Sequence, residues 1–422
     1  MTTGAGPGTN GGTTAGGPAE QLPAVTLDDV RAADALLEGV VRRTPLEPSA
    51  ALSELLGGPV LLKCENLQHA GSFKIRGAYT RMSRLSAAER ERGVVAASAG
   101  NHAQGVALAA RLLGIRSTIW MPVGAPIPKV EATRRYGAEV HQAGTTVDEA
   151  LVHALAHERE TGAVLIHPFD HADIVAGQGT VGLELLEQAP DVRTVVVCTG
   201  GGGLVAGIAT AVKALAPHVR VVAAQAEGAA AWPASLDAGE PRALARMATM
   251  ADGIAVGRPG DVPFGLVREL VDDVVTVAEE SLSRALLLLL ERSKLVVEPA
   301  GAAAAAALLE APEAFEPPVA VVLSGGNIDP LLLMRVIRHG MAAAGRYLGC
   351  RVRVPDRPGA LSGVLAVLAE ADANVLEVFH TRTTAALAVD EVEIGLQLET
   401  KGHDHATAVL AALAASGVRP VA

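Results

Sequence analysis

Three loops and one lysine carry most of the chemistry that this sequence can be read for. Lys74 lies in Gly71-Ser-Phe-Lys-Ile-Arg-Gly-Ala78, an ammonium set between Phe73 and Ile75 with small residues on both sides. Lysines mostly sit solvated on surfaces, and that is the plain reading of any single one. A lysine that is partly buried has a lowered pKa and a free amine suited to carbonyl chemistry. Cys198-Thr-Gly-Gly-Gly-Gly-Leu204 puts four glycines between an apolar strand and a helix. Such a turn exposes backbone N–H groups at the positive end of a helix, which suits a phosphate. A tight turn alone would need only one glycine. No Lys-Ser/Thr follows, as a Walker loop requires, and the glycine spacing is not that of a dinucleotide fingerprint, although Glu227 lies near the distance of its acidic residue. The glycines therefore indicate phosphate and leave the ligand open. Ser98-Ala-Gly-Asn-His102 and Ser324-Gly-Gly-Asn327 each end an apolar strand, where open α/β sheets bind their ligands. The N–H groups of the first can take a carboxylate. Each loop alone reads as a cap or turn. Together with the lysine they point to pyridoxal phosphate held as a Schiff base.

These loops need a parallel sheet to position them, and the chain supplies one. Strand-like segments (Val60 to Cys64, Gly93 to Ala97, Ser117 to Met121, Thr194 to Cys198, Val219 to Gln225, Val319 to Leu323) alternate with helical ones (Ile75 to Ser83, Gln104 to Leu113, Lys129 to Tyr136, Leu204 to Leu215). That alternation predicts an α/β fold with helices covering the sheet. Order is expected to begin at Thr26-Leu-Asp-Asp29, a helix-capping signal. Residues 1–22 are rich in Gly, Thr and Pro, bury too little to fold, and are expected to be disordered. After about Gly345 the texture changes. Strand-like Tyr347 to Val354, helical Pro358 to Ala371, strand-like Asn374 to Thr383 and Val389 to Leu398, helical Asp404 to Ala415 and strand-like Val418 to Val421 follow in turn. This β-α-β-β-α-β order is ferredoxin-like, a separate α+β domain over 345–422.

Composition removes several classes of function. Of 422 residues, 35 are basic and 46 acidic, a net charge of -11 that disfavours nucleic acid and anionic membranes. Aromatics at 2% leave no base-stacking platform. Cys64, Cys198 and Cys350 are scattered, without the spacing of a metal knuckle or disulfide framework, so a reducing cytoplasm is the expected home. The N-terminus lacks a basic segment followed by an apolar one and is not read as a signal peptide. No stretch is apolar enough for a membrane span.

The motifs as a set resemble the fold-type II pyridoxal-phosphate family (tryptophan synthase β-like), and within it the threonine dehydratases, or threonine ammonia-lyases. The matching pieces are Arg43-Thr-Pro-Leu46, Lys63-Cys-Glu-Asn-Leu67, the Lys74 and Ser98 motifs continuing to Gly105, Gly200 to Leu204, Ala251-Asp-Gly-Ile-Ala-Val256 and Ser324 to Asn327. The resemblance implies a catalytic domain over 23–344. It implies that Lys74 carries the cofactor with Phe73 beside it, and that Asn101 hydrogen-bonds its 3-oxygen. Gly200, Gly201, Gly202, Gly203 and the Leu204 N–H would hold the phosphate, and Ser324 would meet the pyridine nitrogen. Ser98, Ala99, Gly100, Asn101 and His102 would form the substrate loop. A serine at the ring nitrogen, where other enzymes use a carboxylate, weakens the electron sink and favours prompt loss of a β-substituent. The implied reaction is dehydration and deamination of L-threonine to 2-oxobutanoate and ammonia, and of L-serine to pyruvate. The freed Lys74 amine would remove the Cα proton as general base. Relatives are usually homotetramers.

Two departures narrow this. Racemases of the family carry a second base, a serine, where this chain has Ala99. Relatives that bind a divalent cation use a Glu and an Asp; Glu227 is present but Pro233 replaces the Asp, which leaves only a monovalent ion on Glu227 and carbonyls. The C-terminal segment resembles an ACT domain, beginning Asp356-Arg-Pro-Gly-Ala-Leu361. The resemblance implies allosteric control by a small amino acid, isoleucine or valine, held by Asp356, Gly359, Ala360, Leu361 and Asn374. A bare packing module is the alternative there. For the enzyme the alternatives are a serine-preferring dehydratase or threonine synthase, and a non-catalytic amino-acid sensor stands as a different class. Whether the duty is isoleucine biosynthesis or catabolism stays open. His102, His167 and His171 read as loop and cap residues, Cys198 as a buried strand residue, and Asp272-Asp273 as a solvated turn.

Overall fold

The computed structural model describes residues 25–382 and 387–421. The tail expected to be disordered, 1–22, lies outside the described residues, as does Thr383 at the expected end of a strand. Thr26 opens the helix Leu27–Leu37 with a reciprocal capping box to Asp29.

Two sheets build the region up to Ala343. The larger has six strands in the order Leu46–Pro48, Val60–Lys63, Val319–Val322, Thr194–Cys198, Arg220–Ala226 and Asp273–Val277. Only the first pair is antiparallel. Its central strands are buried on both faces, which explains their unbroken apolar runs. The helix Pro299–Glu310 packs beneath it and is apolar all round because it is buried all round. The smaller sheet is parallel, in the order Glu139–Gln142, Ser117–Met121, Val94–Ala97 and Val164–Leu165. Each sheet has its own core, and the two cores are distinct clusters. Phe73 belongs to the large core and Ile75 to the small one, so Lys74 sits on the seam between them.

The C-terminal region has one antiparallel sheet, ordered Asn374–Thr381, Glu391–Glu399, Tyr347–Pro355 and Arg419–Val421. Helices Ala360–Glu370 and His403–Ala415 cover the face carrying Val392, Ile394, Leu396 and Leu398. This is the ferredoxin-like order expected from the sequence.

Two expectations need correction. Asp272 and Asp273 are exposed as expected but do not form a turn: the Asp272 carboxylate accepts from the Val221 N–H at 2.6 Å and pairs with Lys213 at 2.7 Å, and Asp273 opens a strand. Asp272 fastens the edge strand, a long-range use that the local sequence does not show. His102 is not a loop residue. It is buried in the first turn of the helix Asn101–Leu113, which starts three residues before the expected Gln104 because Gly100 and Asn101 already lead into it.

Candidate active site

The loops at the strand ends meet around one cavity of about 520 Å³ on the seam. Its wall takes in Phe73, Lys74, the whole Ser98–His102 segment, Gly200–Leu204 and Ser324. Every residue singled out for cofactor or substrate in the sequence is therefore in one place.

Lys74 opens the helix Lys74–Ser83, and its Nζ donates to the Pro168 carbonyl at 3.0 Å. Burial lowers its pKa to about 8, opposed by the negative field of Glu298. A buried amine at that value is partly free base near neutral pH. Arg76, two residues on, is what fixes this helix start. Its guanidinium, fully buried, donates to both oxygens of Glu65 at 2.8 Å and to Glu184 at 2.7 Å. Lys63 completes the network through the other oxygen of Glu184 at 2.5 Å. Two cations and two anions cancel, and the planar fork of arginine matches its carboxylates.

The glycine turn is cradle-shaped for steric reasons. A Cβ on Gly201 would lie 2.4 Å from the Phe169 ring, and one on Gly202, whose φ is 97°, would lie 2.3 Å from Trp232. Trp232 holds the loop by donating Nε1–H to the Gly200 carbonyl at 2.7 Å. Among the described residues, the N–H groups of Gly200 through Val205 donate to no protein acceptor; the first helical bond is Ala206 to Gly202. Six unsatisfied donors at a positive helix end form an anion site. The substrate loop is similar: Gly100 N–H turns to Ser98 Oγ at 3.1 Å, while those of Ala99, Asn101 and His102 have no protein acceptor among the described residues. Ser324 is buried beside Cys198, whose thiol burial pushes up to about 11, as suits a strand residue and not a nucleophile. An amine, a phosphate cradle and a buried hydroxyl fit pyridoxal phosphate.

Asn101 is engaged more widely than the sequence indicates. Its Nδ2 donates to Glu298, and its Oδ1 accepts from Asn327 at 2.7 Å. Glu298 was missed by sequence reading. Burial, then the charge of Asp252, raise its pKa to about 7. Its signal was available: one carboxylate in the apolar run Leu295-Val-Val-Glu-Pro-Ala-Gly301, the mirror image of Lys74 among Phe and Ile. Lys129 and Asp252 also line the cavity, paired at 2.8 Å, and had no assigned role.

Of the histidines, His167 accepts Asp170 N–H at 2.7 Å and His171 caps the helix Ala172–Gln188, both as loop and cap residues. Burial drives His102 down to about 3, so the neutral ring donates Nε2–H to Ile166 at 2.7 Å. Glu227 is exposed, and no group of three His, Cys, Asp or Glu among the described residues is arranged to hold a metal. In the C-terminal domain, Gly359 N-caps the helix Ala360–Glu370, whose first turn carries Leu361, and Asp356 pairs with Arg382 at 3.1 Å. Asn374 does not join them within one chain. It pairs with Glu399, whereas Pro355 pairs with Glu391 at the other end of that strand. Eight residues of strand separate the two by about 26 Å. Strand length decides this.

Comparison with known proteins agrees with this geometry. The family "Pyridoxal-phosphate dependent enzyme" matches residues 37–325, and the ACT domain matches residues 350–417. An L-threonine ammonia-lyase of Thermotoga maritima is 48% identical over 393 residues, 93% of this chain and 98% of the relative. Another, of Geobacter sulfurreducens, is 46% identical over 389 residues, 92% of this chain and 97% of the relative. A solved maize serine racemase superposes with TM-score 0.71 at 37% identity, over 76% of this chain and 99% of that one. A solved threonine deaminase from Solanum lycopersicum gives TM-score 0.71 at 38% identity, over 74% and 86%. By the extent of these matches and by the site they fall on, the chain belongs to the pyridoxal-phosphate dependent enzymes, with an ACT domain behind its catalytic region.

Proposed function

We propose that this protein is a threonine ammonia-lyase that also accepts L-serine, controlled through its ACT domain. The observation that carries the reading is the placement of Lys74 on the seam, with the free N–H groups of Gly200–Val205 and of the Ser98–His102 loop around the same cavity. Pyridoxal phosphate, when bound, supplies the electron sink for negative charge at Cα. Lys74 would hold the cofactor and then, freed, take the Cα proton at its Nζ. The substrate loop would hold the carboxylate, Asn101 the ring's 3-oxygen, and Ser324 the ring nitrogen. Phe73 and Phe169 give the cavity wall an apolar part.

Ala99 lines the cavity where a second-face base would have to stand, which supports elimination over racemisation. Threonine synthase would need a further phosphate site. Among the described residues, the only ammonium lining the cavity besides Lys74 is Lys129, and Asp252 already neutralises it. A serine preference remains the second reading, supported by the likeness to a serine racemase. We place the enzyme in the cytoplasm, where its three free cysteines stay reduced, as a homotetramer. Among the described residues no helix is long and apolar enough to cross a membrane.

The separation of Asn374 from the Asp356–Leu361 turn supports an effector site shared between two ACT domains, with each copy giving one part. Isoleucine or valine is the proposed effector, and Glu227 with nearby carbonyls the proposed place for a monovalent ion. The test is product analysis. L-threonine should yield equimolar 2-oxobutanoate and ammonia, and a chain ending at Ala344 should keep the chemistry and lose the response to isoleucine. No 2-oxobutanoate from the intact, cofactor-loaded protein would refute the reading.

A further inference from the structure

The two lobes that meet at Lys74 are joined differently on their two sides. On one side the helix Ala172–Gln188 runs through both, giving Ile174 to the small core and Val175 to the large one. On the other side polar contacts close the seam. Lys129 stands on the helix Ile127–Arg135, whose Val130 belongs to the small core. Asp252 stands on the turn Asp252–Ile254, whose neighbours Ala251 and Ile254 belong to the large core. Their 2.8 Å ion pair therefore spans the lobes. The Asn101–Glu298 hydrogen bond spans them again.

The pair is also a partition. Lys129, Asp252 and Glu298 line the main cavity and, on their other side, a second cavity of about 160 Å³. The Lys129 Nζ stands 3.7 Å from where a Cβ on Gly100 would be, so it lies alongside the substrate loop. The Asp252 carboxylate is mostly exposed, at 60%, while the Lys129 side chain is 10% exposed. A pair so placed adds little to the stability of a fold. It is well suited to bias two nearly equal arrangements of the lobes.

We propose that Lys129 and Asp252 form a clasp across the seam, closing the cavity over the bound amino acid, and that Lys129 is a positioning residue for the Ser98–His102 loop. The proposal rests on the amino-acid substrate inferred above. Substrate binding at the loop and pairing at the clasp then favour the same closed arrangement. Weakening the clasp lowers the closed fraction and with it the apparent affinity.

The experiment uses the full chain loaded with cofactor and the variants Lys129→Met, Asp252→Asn, their double variant and Lys129→Arg. Either single change should raise KM for L-threonine about five- to tenfold with kcat changed much less, because a pairing of this kind contributes to binding before chemistry. The double variant should be no worse than the worse single one, and Lys129→Arg should restore most of the loss. The visible absorbance of the bound cofactor should be unchanged. Hydrogen exchange should quicken at residues 98–102 and 127–135 in both single variants, without substrate, and stay unchanged at 172–188. Additive losses, or unaltered KM and unaltered exchange, would overturn the clasp. If the wild type makes no 2-oxobutanoate, the functional reading fails, and the exchange experiment still decides the clasp.

Discussion

Lys74 and Arg76 are two buried cations, two residues apart on one helix, and they have opposite fates. Arg76 meets Glu65 and Glu184 with four short donations, counting Thr180 at 3.0 Å, and stays charged. Lys74 has one carbonyl partner and an amine held near pH 8. The difference is one of partners, since both are desolvated. A buried charge that is fully paired organises structure; one left without an anion is poised to change its protonation or its bonding. The first region holds the second in place: the network ties the start of the Lys74 helix to the Lys63–Leu67 segment and to the helix Ala172–Gln188.

The comparison breaks most sharply in catalysis. Lys74→Ala should lower kcat/KM for L-threonine by at least ~10³-fold, because one amine serves both as anchor and as base. Its fold should survive. In cofactor-free protein, wild-type stability should rise as pH increases from about 8 towards the ordinary lysine value, since the unfolded chain holds a proton there that the folded one has lost. Thermal melts of Lys74→Ala should lack that rise.

Arg76→Met should do the reverse. It leaves Glu65 buried without a cation and Glu184 with Lys63 alone, and should cost about 3–5 kcal/mol in denaturant unfolding. A loss at Arg76 no larger than at Lys74 would erase the distinction between the two.

Glu298 sharpens the contrast on the acidic side. Its folded pKa of about 7 lies above the ordinary carboxylate value, so the folded chain holds a proton that the unfolded one releases. The stability this gives is complete below the usual carboxylate range and is lost as pH rises towards 7, by up to about 3 kcal/mol. Glu298→Gln in cofactor-free protein should flatten the curve of melting temperature against pH in that window. An unaltered curve would mean that Glu298 is ionised in the fold.

Much of this was legible in the sequence, and the rest has a common reason for being hidden. The Lys74 motif, the four glycines and the two serine loops show because each is a local device, a strand end with residues that free a backbone or carry a group. Lys129, Asp252 and Glu298 act across the seam, on partners more than a hundred residues away, as do Arg76 and Glu184 with a separation of 108. Residue type indicates that such a charge needs a partner and does not indicate which one. Asn374 shows the same limit in the C-terminal domain, where the length of a strand sets it apart from the Asp356–Leu361 turn of its own chain.

The smallest expected effect concerns Ala99. Racemisation of L-serine by the wild type should be near the limit of chiral chromatography. Ala99→Ser, which restores a hydroxyl on that face, should raise D-serine detectably while elimination still dominates. Abundant D-serine from the wild type would show that another cavity group supplies that proton.

The central claim is that the unpaired cation on the seam holds the cofactor. Borohydride reduction of the yellow protein followed by peptide mass spectrometry tests it directly. One phosphopyridoxyl group per chain should be found, on the peptide containing Lys74. Its recovery on Lys63, Lys129 or Lys213 instead, or an unlabelled Lys74 in a protein that had bound the cofactor, would contradict the account.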